Sequence, residues 1–152
     1  MQLTPNFSLE QLIYSETAER ERIDNTPAPK IVDNLRLLAR GLEQVRTLIG
    51  FPLEISSGYR CPRLNARVGG AKTSQHTRGQ AADFTCDPYG PPLAIIKAIR
   101  DSDIEFDQCI LEYARWVHIS FSAAPRGKVL TIYDAKEGYL DGLWDRGGNR
   151  IA

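Results

Sequence analysis

The apolar positions along the chain follow two different periods, and each marks its own kind of element. In KIVDNLRLLARGLEQVRTLIG, Ile31, Leu35, Leu38, Leu42, Val45 and Ile49 recur at steps of three and four. They form one apolar stripe on a long helix, stopped by Gly50. Upstream, NFSLEQLIYS sets Ser8 three residues before Gln11 as a capping box, with Leu9, Leu12 and Ile13 at helical spacing, which predicts a short first helix. The charged run ETAERERIDNTPAP between them reads as a solvated connector, ending with Thr26 as a cap and Pro27 at or near a first helical position. PPLAIIKAIRD predicts a further helix opened by proline.

The second period is the strand alternation. LEISSGYRCP reads as a short strand running into a turn, and AADFTC as another strand. FDQCILEYARWVHISFS contains two apolar runs joined by a short turn, hence a hairpin. Between the first two strands lies NARVGGAKTSQHTRGQ, a long loop rich in Gly, Ser and Thr, and a long irregular loop in a compact domain is usually functional. The tail, residues 121–152, offers one further strand and then polar, glycine-rich sequence without a period, and no internal repeat is present. The expected class is α+β: one domain over 1–152, with a small antiparallel sheet packed against helices.

Composition narrows the function. Nineteen Lys and Arg balance nineteen Asp and Glu, so no global field draws the chain to nucleic acid or to an anionic membrane. The N-terminus lacks a basic region followed by an apolar one, and no apolar run approaches the roughly 20 residues that span a bilayer. The expectation is a protein made in the cytoplasm without a signal peptide, with no stable membrane association and no nucleic-acid partner, and a monomer. Cys61, Cys86 and Cys109 are an odd number with no CxxC pair, which argues for reduced, buried thiols rather than a disulfide framework or a thiolate zinc knuckle.

The candidate chemistry gathers around the only two histidines, His76 and His118. Catalytic zinc is typically held by three N or O ligands with a fourth position left for water, and His76, Asp83 and His118 can supply such a set. Gly79, Ala81 and Ala82 leave room for the backbone to wrap from the first ligand to the second. A lone histidine has many uses besides ligation, so spacing by itself leaves both readings open.

SQHTRGQAADF matches an SxHxxGxAxD signature at Ser74, His76, Gly79, Ala81 and Asp83. With ISSGYRCPRLNARVGG and WVHIS, it resembles the zinc metallopeptidases that include D-Ala-D-Ala dipeptidases and carboxypeptidases and phage L-alanyl-D-glutamate endopeptidases. These are related in fold to the hedgehog signalling domain. The likeness runs from Phe7 to about Ser120, where the chain resembles the phage and prophage branch, and leaves the tail unassigned. It implies a zinc ion on His76, Asp83 and His118, acting as Lewis acid toward a scissile carbonyl and making hydroxide available at neutral pH. Asp83 keeps that site less positive than three histidines would. Arg60 corresponds to the family arginine that would bond the substrate and the developing oxyanion. Ser74 would position substrate or His76, or simply cap the loop. Arg63, Arg67 and Arg78 lie in the same loops, either solvated or facing anionic groups of a substrate.

The sequence departs from the family at the general base. The acidic residue expected three positions before the last histidine is Arg115 here. An odd loop at Tyr113, Ala114 and Arg115 pairs Glu112 with Trp116 and sets it diagonal to His118, roughly 7–8 Å away at the backbone. Glu112 is therefore the expected base. Asp107 reads as a turn residue or one that orients a ligand, and is the alternative base; Asp134 in the tail is a reserve carboxylate. The resemblance implies a peptidoglycan peptide as substrate and an endolysin-like murein endopeptidase as function, acting on the wall after release or from a virion. Two alternatives are a D-Ala-D-Ala carboxypeptidase or dipeptidase, and a non-catalytic zinc-containing wall-binding or phage-structural module.

Overall fold

The computed structural model describes residues 1–151. A short antiparallel pair, β1 (Gln2–Thr4) and β2 (Phe7–Ser8), leads into α1 (Leu9–Ile13), α2 (Glu16–Glu21) and the long α3 (Pro29–Ile49). There follow β3 (Glu54–Ser57), α4 (Pro62–Arg67), a 3-10 turn (Gln75–Arg78), β4 (Ala81–Thr85) and α5 (Pro92–Arg100). The chain closes with β5 (Gln108–Glu112), β6 (Trp116–Ser120), β7 (Lys128–Ile132) and β8 (Leu140–Asp141). No described helix is long and apolar enough to cross a membrane.

The α3 stripe is buried as its period predicts: Leu35, Leu38, Leu42, Val45 and Ile49 pack with Ile95, Ile96 and Ile99 of α5 in one core. Each leucine removed from water there contributes about 1.5–3 kcal/mol. Ser8 caps α1, its Oγ accepting from the Gln11 N–H at 3.1 Å. Two local readings are corrected. The charged connector contains α2, capped by Ser15 and turning Ala18 inward. The start of α3 lies two residues later than expected, with Ala28 at the cap and Pro29 in the first turn, because Pro29 presets the helical φ there just as well as Pro27 would have.

The class is α+β. The main sheet has the order β3-β4-β6-β5-β7-β8, and only β5 and β7 run parallel. The single tail strand expected from the sequence is thus a strand pair that widens the sheet. Side chains alternate across it. Ala82, Phe84, Cys109, Leu111, Val117 and Ile119 point into the core against α3 and α5. The residues between them, Asp83, Ile110, Glu112, His118 and Ser120, therefore share the opposite face.

Candidate metal centre and catalytic cleft

Three strands deliver the site by register. Asp83 of β4 lies directly across from His118 of β6, which is also opposite Ile110 of β5. Glu112 pairs with Trp116 around residues 113–115, the loop predicted from the odd spacing, and its Oε1 reaches to 3.8 Å from His118 Nδ1. Arg115, by contrast, is exposed at the hairpin tip and does not line the cleft.

His76 arrives from the 3-10 turn. Its ring is oriented by Gly58, whose carbonyl oxygen lies 2.7 Å from Nδ1, so Nε2 faces Asp83 Oδ1 at 3.2 Å. Gly58 is required there because a Cβ would sit 2.1 Å from the Leu12 carbonyl oxygen. Gly79 ends the turn with φ of +70°, a left-handed conformation that glycine adopts at little cost. The Ser74 hydroxyl accepts from the His76 backbone N–H at 3.2 Å, the loop-capping task among those expected of it.

His76, Asp83 and His118 are all buried, with one donor atom from each lying within 4.8 Å of the others. Asp83 Oδ1 is 3.0 Å from His118 Nδ1 and 3.2 Å from His76 Nε2. Ligand atoms about 2.0–2.1 Å from a tetrahedral zinc lie roughly 3.4 Å from one another, so this donor set fits the ion in both chemistry and spacing. All three residues line a cleft of about 580 Å³.

The charges are tightly linked. Burial works against the Asp83 carboxylate, but the charges of the two histidines and their hydrogen bonds outweigh it and hold its pKa well below the usual range. Burial likewise opposes charge on His118, yet the bond to Asp83 and the fields of Asp83 and Glu112 raise its pKa. Glu112 is pushed up by burial and by Asp83, partly offset by His118 and by the indole N–H of Trp116, which donates to Oε1 at 2.8 Å. Arg60 reaches the same cleft, with Nε on Asn65 Oδ1 at 3.1 Å and Nη1 on Ser57 Oγ at 3.2 Å. Burial lowers its pKa, while Asp83 and Glu112 favour its charge.

Asp107 stands elsewhere. It touches neither histidine ring, and the bond expected to orient a ligand comes from Gly58 instead. Its oxygens accept from Gln75 Nε2 at 2.7 Å, from Arg126 Nε and Nη2 both at 2.8 Å, and from the Arg126 backbone N–H at 3.1 Å. The Arg126 bonds lead in lowering its pKa to about 2. A carboxylate held below its unfolded value contributes stability that is present above about pH 4 and lost as pH falls through the folded value. Between 3.8 and about 2 this amounts to roughly 2 kcal/mol. Asp107→Asn should therefore lower the thermal midpoint at pH 7 by roughly 4–8 °C, with the gap from wild type narrowing steadily below pH 4. A gap independent of pH would contradict this.

Asp134 is spent on a turn, where its Oδ1 accepts from the Lys136 N–H at 2.8 Å. Arg67 pairs with Glu21 and Arg63 is exposed, whereas Arg78 lines the cleft rim. Cys109 is sealed in the core, where burial pushes its thiol up, so it offers no nucleophile. The sequence reading missed Gly58, Trp116, Gln75, Arg126 and Tyr139. Only Gly58 carried a signal, a glycine at a strand end marking close backbone approach.

A buried His-Asp-His cluster on a mixed sheet, open to a cleft that also holds a carboxylate and a guanidinium, defines a metal-dependent hydrolase. The sequence matches the Peptidase M15 family over residues 5–120, and the chain belongs to that family. It is a zinc-dependent hydrolase of peptide bonds, on peptidoglycan-related substrates. No curated protein was found to match the chain.

Proposed function

We propose that the protein is an endopeptidase of the peptidoglycan stem peptide, with His76, Asp83 and His118 as zinc ligands and Glu112 as general base. The observation that carries this reading is Glu112, a mostly buried carboxylate 3.8 Å from His118 in the cleft onto which the ligand set opens. When bound, zinc supplies Lewis-acid polarisation of the scissile carbonyl and an activated water nucleophile. Trp116 fixes Oε1 of Glu112, leaving Oε2 to accept the proton of the attacking water and to return it to the leaving amine. Asn65 and Ser57 hold Nε and Nη1 of Arg60, so Nη2 is left to face the oxyanion as it develops.

The cleft favours internal cleavage over removal of a terminal residue, because exposed Val68, Thr73, Arg78 and Tyr139 form an open rim rather than a closed pocket. A purely structural zinc module is disfavoured, since such sites are normally closed by four protein ligands and need neither base nor oxyanion partner. The protein works as a monomer on the wall, after release from the cytoplasm or from a virion. Mass spectrometry of products from purified stem-peptide muropeptides tests the mode of cleavage. Two fragments of at least two residues each are expected, whereas release of single D-Ala alone would assign a carboxypeptidase.

A further inference from the structure

The tail beyond the family-matched stretch forms one wall of the cleft. Residues Ile132, Ala135, Gly138 and Tyr139 line the same cavity as the His-Asp-His cluster and Glu112. This wall is pinned on both sides. Thr131 pairs with Leu140 and its Oγ1 donates to the Gly142 carbonyl at 2.8 Å, while the turn before Tyr139 closes through the Gly138 N–H on the Asp134 carbonyl at 3.0 Å. It is also tied to the catalytic hairpin. The Tyr113 N–H donates to the Ile132 carbonyl at 2.8 Å, and Arg146 donates to the Tyr113 carbonyl at 2.7 Å. Tyr113 and Ala114 are held at φ of +56° and +55°, a conformation that costs non-glycine residues of order 1–3 kcal/mol each and persists where the surroundings enforce it. The Tyr113 ring in turn rests on Trp116, with centroids 5.6 Å apart, and Trp116 holds Glu112.

We infer that Tyr139 is a substrate-contacting residue of this cleft, its phenol O–H donating a hydrogen bond to a backbone carbonyl of the peptide that lies against Glu112. The inference rests on the peptidase reading above. Two tail tyrosines differ in a way that supports it. The Tyr133 hydroxyl is used within the fold, donating to the Trp144 carbonyl at 2.8 Å. The Tyr139 hydroxyl has no partner among the described residues, and the side chain is 56% exposed although it directly precedes the paired strand β8. A tyrosine phenol is already protonated at neutral pH, and partial burial with the negative fields of Glu112 and Asp83 raises its pKa further, so it is a donor there. An extended peptide has carbonyls at regular spacing along such a wall, and Arg60 is left free for the carbonyl under attack.

The test compares Tyr139→Phe with its parent in two arms. One arm measures kcat/KM for a purified tetrapeptide muropeptide. The other measures the Kd of the same muropeptide by calorimetry in the zinc-loaded Glu112→Gln background, where turnover is blocked. Loss of one neutral hydrogen bond should weaken binding about three- to tenfold and lower kcat/KM by a similar factor, with unchanged zinc content and thermal midpoint. Wild-type values in both arms would overturn the inference, as would a loss accompanied by a fall in the thermal midpoint, which would make Tyr139 structural. If the wild type fails to cleave but Tyr139→Phe still weakens binding, the contact stands and the peptidase reading falls. If the Glu112→Gln parent binds no muropeptide, both are overturned.

Discussion

His118→Ala purified from zinc-containing medium should carry no metal, where the wild type carries one zinc per chain, and it should melt well below the wild type. The side chain is almost wholly buried at the centre of the cluster and bridges Asp83 to the space beside Glu112. Its removal takes away one of three donors and leaves Asp83 with one histidine partner in a buried setting. Binding to the folded form alone adds RT ln(1 + [Zn]/Kd), about 4 kcal/mol when free zinc is about 1,000 times Kd. For a chain of this length that corresponds to roughly 10 °C in thermal midpoint. Chelation of the wild type should reproduce most of that shift. His76→Ala should behave the same way, since Gly58 orients its ring for the same purpose. A variant lacking either histidine that still retained stoichiometric zinc would remove the ligand assignment.

The second large effect belongs to Glu112→Gln. The amide keeps the size of the side chain and leaves an oxygen to accept from Trp116, so fold and zinc content should persist. It cannot take a proton from water. General acid-base catalysis contributes about 10²–10⁴-fold, so kcat should fall by that factor with KM little changed. Near-wild-type turnover in the zinc-replete variant would rule Glu112 out. The structure leaves little to replace it: Asp107 is committed to Arg126 and Gln75, and Asp134 to its own turn.

Period-based reading recovered the elements whose burial is local. The α3 stripe and the hairpin of β5 and β6 declare themselves through steps of three and four and through alternation, and the hairpin register alone was enough to put Glu112 beside His118. What the sequence concealed depends on distant partners. The strand β7 pairs in parallel with β5, and nothing within residues 121–152 records which strand lies beside it. The short α2 is polar on most of its surface and hides its one inward residue, Ala18, among charges. The Arg126 clamp on Asp107 joins residues 19 apart through a loop, so Asp107 looked free to orient a ligand. The departure at Arg115 was legible in one respect only: with an arginine at the usual acidic position, the hairpin register pointed to Glu112, which pairs with Trp116 and lies diagonal to His118.

The most direct test of the account counts new chain ends. Purified peptidoglycan is incubated with the zinc-loaded protein and with the chelated protein, and free amino groups and reducing sugar ends are measured in both. Peptide-bond hydrolysis predicts a zinc-dependent rise in amino groups with no rise in reducing ends. New reducing ends would point to glycosidase chemistry, which needs two carboxylates flanking a sugar bond, and would contradict the account. So would an equal release of amino groups by the chelated protein.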